Sequence, residues 1–414
     1  MATSFADYLS QTTESFQSTY PNYFSSGFTY HVIIGNEAGD CDSIVSALAL
    51  AYTQSLVDQD KSMSDGSKVY LPVCSIERDD MALRRETVLL LKKCGVDPDS
   101  LLYLDDVSVC YLLSEDSDNV QVELTLTDHN KIRSSLQHLS NNVKQIVDHH
   151  ADDGAHKHVV SEVREIAFHS DSNKALVGST CTLVAERLTK VTSSLETDCE
   201  IDSGVASALL GTIVIDTMNM SASAGKGTKR DGNMINVLMG SAGWSKDCRA
   251  PNLEKLYEWL NSAKFDCTFW DEMSVRDCLR IDYKRFQSSD SGNAFGISSV
   301  LLPIDKLISK SDNFLESAKM FIKDGNIELL GIMSMVIEEG NPRRGMLLIG
   351  DKCKVKTMTD FLTKHNYASF LKISISDSDN DSDTSSDLTS RILSQGNIKG
   401  SRKQVAPAMM KCRL

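Results

Sequence analysis

The first half of the chain alternates short apolar segments with segments of helical periodicity, and this alternation restricts its fold more than any other feature. Residues 31–34 are mostly apolar and end at Gly35, and residues 43–56 then carry apolar side chains at helical spacing. Residues 69–73 and 121–127 repeat the pattern of a strand. Strands that alternate with helices form parallel sheets covered by crossover helices. We therefore predict an N-terminal domain built on a parallel sheet with flanking helices.

The second half of the chain shows strand and helix patterns in a mixed order. Residues 294–302, 327–337 and 345–350 have the apolar character of strands, whereas residues 306–323 and 355–364 have helical periodicity. A mixed order of this kind predicts a smaller C-terminal domain of mixed α/β class. The predicted fold class is therefore α/β, with a parallel-sheet domain followed by a mixed domain.

A stretch with little periodicity lies between the two patterns. Residues 220–243 are rich in serine, glycine, asparagine and charged side chains. Their basic run, residues 225–230, lacks the glycine and hydroxyl positions of a nucleotide-binding loop. The chain of 414 residues is too long for one core, because single cores stop growing at about 250–300 residues. We predict a first domain at 1–225, a flexible linker at 226–244 and a second domain at 245–414.

The formal net charge of −14 excludes one class of partner. Forty-three basic against fifty-seven acidic side chains do not provide the dominant basic surface that a sequence-independent nucleic-acid binder needs. Any anionic substrate must therefore meet a local positive field. The acidic segment 376–387 is predicted to be a solvated loop, because it lacks the glycine and glutamate positions of a calcium loop.

The cysteines and the apolar segments indicate the cellular compartment in which the protein is expected. The eleven cysteines are scattered without a Cys-x-x-Cys pair, which argues against a disulfide framework and against structural zinc. The N-terminus has no signal-peptide pattern. The longest apolar stretch, residues 205–215, contains polar residues and predicts a buried helix rather than a membrane span. We expect a cytoplasmic protein that does not enter a membrane.

Four polar clusters follow apolar segments of the first domain, at the edge where parallel sheets place their ligand-facing residues. A single loop carboxylate is weak evidence for a site, because it usually caps a helix or is solvated. One cluster is more specific, because two of the nine histidines adjoin an aspartate there. Carboxylate and imidazole ligands suit a divalent ion such as Mn²⁺, Co²⁺ or Mg²⁺. The clusters are Asn36 with Asp40 and Asp42, Asp128 with His129, Asp148 with His149 and His150, and Asp216.

In their order along the chain, these clusters resemble the four phosphoesterase motifs of the DHH superfamily. The motifs read GNEAGDCDS, TLTDHN, DHH after QIV, and IVIDTMN. Within the superfamily the chain is most similar to the cytosolic eukaryotic exopolyphosphatases, with prune proteins and manganese pyrophosphatases as relatives. Their C-terminal domain, of the DHHA2 type, ends in a Ser-Arg-Lys motif that matches Ser401, Arg402 and Lys403. The resemblance extends over residues 30–407.

The resemblance implies a site for two divalent ions, Mg²⁺ or Mn²⁺, with Co²⁺ as a further candidate. Asp128, His129 and Asp148 would be catalytic, and Asp148 would either join the ligands or orient its neighbours. Asn36 stands where the manganese pyrophosphatases carry histidine. We expect Asn36 to modify the metal site in favour of Mg²⁺, because an amide oxygen is a harder and weaker ligand than imidazole. The implied metal ligands are Asp40, Asp42, Asp128, Asp148, His149, His150 and Asp216.

Substrate contacts are implied mainly for the second domain. Five carboxylates against two divalent ions leave the loaded metal site near neutral, so attraction for a polyanion must come from other groups. The resemblance assigns substrate binding to Lys284, Ser401, Arg402 and Lys403 of the second domain and to His149 of the first. Closure of the domains about the linker is expected to complete an active site in the cleft between them.

The implied function is that of an exopolyphosphatase, which hydrolyses terminal phosphoanhydride bonds of inorganic polyphosphate and releases orthophosphate by a two-metal mechanism. The alternatives are an inorganic pyrophosphatase, a hydrolase of short-chain polyphosphate or nucleoside tetraphosphates, and a prune-like cyclic-nucleotide phosphodiesterase. The prune type tends to carry arginine where this chain has His150. A RecJ-like nuclease and a non-catalytic interaction module are disfavoured. We expect a monomer or a weak dimer that binds neither nucleic acid nor a membrane.

Overall fold

The computed structural model of the chain describes residues 3–20, 28–58, 68–115, 117, 120–195, 200–245, 248–249, 252–288, 292–338, 341–366, 368–376 and 388–413. Most of the acidic segment, residues 377–387, lies outside these ranges. The chain divides into two compact units, Met1–Lys264 and Phe265–Leu414. Each unit is described below by itself.

A parallel sheet of six strands forms the centre of the first unit, as the alternating pattern predicts. Its strands are β1 (Thr29–Ile34), β2 (Lys68–Cys74), β3 (Leu102–Tyr103), β4 (Gln121–Thr127), β5 (Val143–Asp148) and β6 (Arg164–Ile166). The spatial order is β3-β2-β1-β4-β5-β6, and every pairing is parallel. The chain leaves β1 for β2 on one side and later adds β4 on the other, so the direction of winding reverses between β1 and β4.

Eight helices accompany this sheet within the described part of the first unit. They are α1 (Phe5–Thr19), α2 (Cys41–Asp58), α3 (Arg85–Lys93), α4 (Val107–Leu112), α5 (Thr180–Ser194), α6 (Ser203–Asp216), α7 (Lys229–Ser241) and α8 (Leu253–Lys264). Short ribbons add β7 (Phe168–His169), β8 (Lys174–Ala175), β9 (Gly243–Ser245) and β10 (Cys248–Arg249). Residues 205–215 of α6 are all buried, which confirms the predicted buried helix.

The predicted linker at 226–244 is not present as a linker, because its central part forms α7 of the first unit. Ile235 and Leu238 of this helix are buried in the core that α2, α5 and α6 share. The boundary between the units falls at Lys264, so α8 also belongs to the first unit. The glycines and polar residues of the segment indicated flexibility, yet two apolar side chains at helical spacing were sufficient to anchor it.

A buried carboxylate ties α7 to the rest of the first unit. Asp231 is fully buried, and it accepts hydrogen bonds from the backbone N–H of Gly178 at 2.9 and 3.0 Å. It also accepts from the hydroxyl of Thr182 at 2.6 Å and from the N–H of Thr228 at 2.7 Å. Asp231 therefore joins the first turn of α7 to the segment that leads into α5.

The second unit is a mixed sheet with helices, as predicted. Its elements are α9 (Cys267–Glu272), α10 (Val275–Arg280), β11 (Tyr283–Gln287), β12 (Ala294–Val300), α11 (Ile304–Ser309), α12 (Phe314–Asp324), β13 (Leu329–Glu338), β14 (Asn341–Gly350), α13 (Lys352–Lys364), β15 (Ile373–Ile375), β16 (Thr389–Gln395) and α14 (Arg402–Met409). The strand order is β11-β12-β13-β14-β16-β15, and the pairing of β12 with β13 is parallel. The predicted helix at 306–323 is two helices, because Ser311, Asp312 and Asn313 favour a turn between them.

Among the described residues, none of the helices combines the length and the apolar character needed to cross a bilayer.

Replacement of Asp231 tests whether α7 is part of the folded first unit. Asp231→Ala leaves the buried N–H groups of Gly178 and Thr228 without an acceptor, which should lower the free energy of unfolding by about 2–4 kcal/mol. Urea unfolding measures this loss. Asp171→Ala, which removes an exposed acid of the same unit, should change it by less than about 0.5 kcal/mol. Equal stability of both variants would mean that the segment behaves as a linker.

Candidate metal centre

The candidate site lies at the carboxyl ends of the strands where the winding of the first sheet reverses. The chain leaves β1 through residues 35–40, leaves β4 at Asp128 and leaves β5 at residues 148–150. In open α/β sheets, ligands bind at this reversal because the connections on its two sides leave a crevice. The sheet order, which the sequence did not predict, thus brings three of the four polar clusters together.

Backbone contacts hold the loop after β1 in place. Arg84 is 4% exposed, and its guanidinium donates to the carbonyls of Gly39 at 3.0 Å and Ala38 at 2.7 Å. Gly39 has a φ of +53°, and an added Cβ would lie 2.2 Å from a methyl carbon of Ile76. Only glycine therefore fits this turn. At its end, Asp40 accepts from the N–H of Ser43 at 3.0 Å and caps α2.

The N-terminus of α5 binds the carboxylate of Asp42. The carboxylate, which is 4% exposed, accepts from the Ser179 hydroxyl at 2.6 Å and from the N–H groups of Thr180 at 2.8 Å and Cys181 at 2.9 Å. Ser179 also caps α5. Burial, and then the charge of Asp128, raise the pKa of Asp42 to about 7. The helix N-terminus partly offsets this cost, because its dipole favours negative charge.

Asp128 occupies a strained position between two donors. Its φ is +61°, a left-handed conformation that costs about 1–3 kcal/mol in a residue other than glycine and is concentrated at functional sites. Asn36 Nδ2 donates to one carboxylate oxygen at 2.5 Å, and the Thr180 hydroxyl donates to the other at 3.2 Å. The carboxylate is 2% exposed, so its orientation is set by these contacts.

The contacts of Asn36 link it to Asp128. Its amide oxygen accepts the N–H of Ala38 at 2.8 Å, and its amide nitrogen donates to Asp128. Both ends of the amide are therefore engaged in this structure, and Asn36 orients the carboxylate of Asp128. The sequence could not show this, because an asparagine presents either a donor or an acceptor according to its neighbours.

Asp148 is fully buried and organises the motif that follows β5. One oxygen accepts from His149 N–H at 2.8 Å and from His150 at its N–H and Nδ1, at 3.1 and 2.9 Å. The other oxygen accepts from Asn130 Nδ2 at 2.6 Å. Burial raises the pKa of Asp148, but the hydrogen bond and charge of His150 outweigh it and hold the pKa below its ordinary value. Of the two roles implied, these contacts favour the orientation of neighbours.

His149 is positioned to offer a lone pair. Its Nδ1 lies 3.1 Å from the carbonyl oxygen of Val177, and because a carbonyl can only accept, Nδ1 carries the proton. Its Nε2 lies 3.4 Å from a carboxylate oxygen of Asp128 and 3.7 Å from one of Asp42. A histidine that donates one ring N–H to a carbonyl and offers the other nitrogen is typical of a metal ligand.

The donor set fits a divalent cation. Ligand atoms of Asp128, His149 and His150 lie within 4.8 Å of one another. Among the described residues, the buried Oδ2 of Asp216 has no hydrogen-bond donor. Burial, and then the charges of Asp42 and Asp40, raise the pKa of Asp216 well above its ordinary value. Because carboxylates so close repel one another, a cation bound among them would relieve the repulsion.

One residue near this cluster escaped the sequence analysis. Lys264, the last residue of α8, lies with its ammonium 3.4 Å from a carboxylate oxygen of Glu86. Burial lowers its pKa, but the charges of Glu86, Asp216 and Asp40 outweigh burial and raise the pKa above its ordinary value. No local pattern marks Lys264. The sequence analysis placed its segment in the second domain and therefore did not connect Lys264 with the carboxylates of the first.

The four predicted substrate residues of the second domain all lie in the second unit. Lys284 is a half-buried residue of β11. Ser401 forms a capping box at the start of α14, and Lys403 is exposed. Arg402 donates to the carbonyl of Asp282 at 2.7 Å and to its carboxylate at 2.6 Å. Its charge is thus paired within the unit, which the sequence did not predict.

Two family models match the chain. The model for the DHH family N-terminal domain covers residues 31–213, and the model for the DHHA2 domain covers residues 258–412. The chain therefore carries a DHH-family N-terminal domain followed by a DHHA2 domain. The resemblance inferred from the four motifs and from the terminal Ser-Arg-Lys motif is thereby confirmed, as is the order of the two domains.

Relatives in the DHH family bear names of phosphoanhydride hydrolases. Exopolyphosphatase PRUNE1 of Bos taurus is 27% identical over 383 residues, and that of Homo sapiens is 26% identical over 386 residues. Each alignment covers 92% of this chain and 74% of PRUNE1. A candidate exopolyphosphatase of Schizosaccharomyces pombe is 26% identical over 403 residues, which cover 93% of this chain and 91% of the relative.

Among solved structures, a candidate family II inorganic pyrophosphatase from Methanococcus jannaschii superposes with a TM-score of 0.56 at 20% identity. The match covers 92% of this chain and 98% of that one. At this identity the likeness shows a shared fold.

Thermal unfolding tests whether the carboxylate cluster binds cations. Addition of Mg²⁺ or Mn²⁺ to the EDTA-treated protein, at about a hundredfold excess over Kd, should raise Tm by about 5–10 °C. Asp216→Asn should raise the Tm of the EDTA-treated protein, because it removes one repelling charge, and should abolish most of the metal-dependent rise.

The matched control is Asp171→Asn, which removes an exposed charge of the same unit and should respond to metal as the wild type does. A full metal response in Asp216→Asn would show that Asp216 has no part in cation binding.

Proposed function

We propose that the protein is an exopolyphosphatase, which hydrolyses terminal phosphoanhydride bonds of inorganic polyphosphate with the aid of two divalent cations. The observation that carries this proposal is the convergence of Asp128, His149 and His150 at the sheet reversal. Asp42 and Asp216 add carboxylates that repel one another without a cation. The names of the PRUNE1 and Schizosaccharomyces pombe relatives support the choice of substrate.

The residues of the site have separate tasks in this proposal. When bound, the cations supply activation of a water molecule and neutralisation of the charge on the transferring phosphoryl group. Asp42, Asp128, His149 and His150 hold the cations, together with Asp40 and Asp216. Asp148 fixes the imidazole of His150 through the 2.9 Å contact to Nδ1. Hydrogen bonds that hold the ligand side chains in place matter because small displacements of ligands weaken metal sites and catalysis.

His129 is the proposed donor to the leaving phosphate. Its Nδ1 lies 2.9 Å from the carbonyl oxygen of Thr127, so Nδ1 carries a proton. The ring is half-buried, and donation to the leaving phosphate would come from Nε2 of its doubly protonated form, since only the imidazolium donates from both nitrogens. In the second unit, Lys284, Ser401, Arg402 and Lys403 are the proposed phosphate contacts.

An assay of phosphate release tests the proposed function. The purified protein with Mg²⁺ or Mn²⁺ is offered long polyphosphate, tripolyphosphate, pyrophosphate and cyclic AMP. We expect orthophosphate as the product from long polyphosphate, with a residual chain that shortens from its end. Asp148→Ala should lower the rate at least about 10–100-fold, since it frees His149 and His150 from their common acceptor.

Each alternative has its own outcome in this assay. Preference for pyrophosphate would identify a pyrophosphatase, preference for tripolyphosphate a short-chain hydrolase, and turnover of cyclic AMP a phosphodiesterase. Absence of release from all four compounds would contradict an enzymatic function of this site.

A substitution at Asn36 tests its control of the metal site. Asn36→His replaces the donor to Asp128 with an imidazole that can itself ligate, so we expect about tenfold tighter activation by Mn²⁺ and a lower relative rate with Mg²⁺. Activity is measured as a function of each free metal concentration. If neither the Mn²⁺ affinity nor the metal preference changes, Asn36 does not influence the metal ions.

A further inference from the structure

Arg344 of β14 is a half-buried arginine without an acidic partner among the described residues. Its Nε donates to the carbonyl oxygen of Ile398 at 2.7 Å. Burial lowers the pKa of Arg344, and among the described residues no charged side chain contributes to this shift. The rest of the guanidinium fork is available to an anion, and such a fork suits phosphate oxygens.

The neighbouring residue Arg343 provides a contrast. Arg343 is 72% exposed, and its Nε lies 2.9 Å from a carboxylate oxygen of Glu338. Successive side chains of a strand point to opposite faces of a sheet, so the two arginines lie on different faces. One arginine is therefore exposed and paired, whereas the other is half-buried and offers an unpaired charge.

The face that carries Arg344 also carries the predicted substrate residues of the second unit. Met346 and Leu348 lie on the same face of β14 as Arg344, because every second side chain of a strand points to the same face. They pack in one core with Val405 and Met409 of α14. Phe286 of β11 packs against the same core. Lys284, two residues earlier on β11, therefore lies on this face as well. Arg344, Lys284 and α14 thus belong to one side of the sheet.

The loop before α14 links Arg344 directly to the Ser-Arg-Lys motif. Gln395 Nε2 donates to the carbonyls of Asn397 at 2.8 Å and Gly400 at 2.5 Å, which shapes this loop. Ile398, the partner of Arg344, lies four residues before Arg402, so their Cα atoms are at most about 14 Å apart. Arg344 therefore lies beside the motif in space although it precedes it by more than fifty residues in the chain.

The charge balance of this face gives Arg344 its importance. Arg402 is the residue that the Ser-Arg-Lys motif offers for phosphate, yet its guanidinium is already paired with the carboxylate of Asp282. Much of its charge is therefore compensated, and a bound phosphate chain needs further positive charge. Arg344 supplies a charge that no carboxylate of the described residues neutralises.

We infer that Arg344 is a phosphate-binding residue that extends the substrate surface of the second unit and favours long polyphosphate chains over short ones. This inference rests on the proposed function. Strand β14 lies three strand positions from β11, which is about 14 Å across the sheet. The side chains on β11 and β14 are thus separated by more than the length of pyrophosphate, and a long chain can reach both.

The test compares Arg344→Gln with Arg343→Gln, which removes the same charge from the opposite face. Steady-state kinetics are measured with long polyphosphate and with tripolyphosphate at fixed ionic strength and saturating metal. For Arg344→Gln we expect KM for long polyphosphate to rise about tenfold, as for one lost charge-assisted contact. Its kcat, and its KM for tripolyphosphate, should stay within about twofold of the wild type. Arg343→Gln should leave both substrates unchanged.

A second variant separates binding from a role in loop structure. Arg344→Lys keeps the charge and loses the fork, so KM for long polyphosphate should rise by about threefold. The inference is overturned if Arg344→Gln raises KM equally for both chain lengths, or lowers kcat and Tm together, since Arg344 would then merely hold Ile398. It is also overturned if Arg343→Gln has the same effect as Arg344→Gln.

Binding without turnover distinguishes failure of this inference from failure of the proposed function. Long polyphosphate is titrated with Mg²⁺ into the full chain carrying Asp148→Ala, with and without Arg344→Gln. About tenfold weaker binding in the double variant supports the inference even if the wild type releases no phosphate. Equal binding by both chains overturns it, whereas the proposed function stands if the wild type degrades polyphosphate.

Discussion

Repulsion among buried carboxylates is the constraint on which the first unit depends. Asp42 and Asp128 are nearly inaccessible to solvent, and burial and mutual charge raise the pKa of Asp42 to about 7. Such a cluster destabilises a fold unless donors and a cation offset it. The first unit provides donors from several elements: the N-terminus of α5 for Asp42, the amide of Asn36 for Asp128 and the amide of Asn130 for Asp148.

The contacts behind these donors explain why polar residues far from the motifs are buried. Arg84 fixes the loop that carries Asn36 through two carbonyls. Asp231 accepts the N–H of Gly178, which lies between Val177, whose carbonyl contacts His149, and the start of α5. Arg84 and Asp231 are at most 4% exposed. Side chains held in this way need little rearrangement to bind a cation.

In the second unit the electrostatic requirement is the opposite one, namely positive charge for an anionic ligand. The chain carries an excess of fourteen negative charges, so a polyanion must be attracted locally. The sheet face that bears Lys284 and α14 also bears Arg344, whereas Arg402 is partly neutralised by Asp282. Net charge alone therefore says nothing about a polyanion that meets a few positioned cations.

The sequence by itself determined the class of fold, the order of the domains and the resemblance to the DHH motifs. These follow from local patterns: the alternation of strands and helices and the order of Asp128, Asp148 and Asp216 in the motifs. Local patterns also misled at residues 226–244, where polar composition concealed an anchored helix. Only the tertiary structure decided the contacts of Asn36, Lys264 and Arg344. Their partners lie far away in sequence, and packing alone sets whether a charge or an amide is paired.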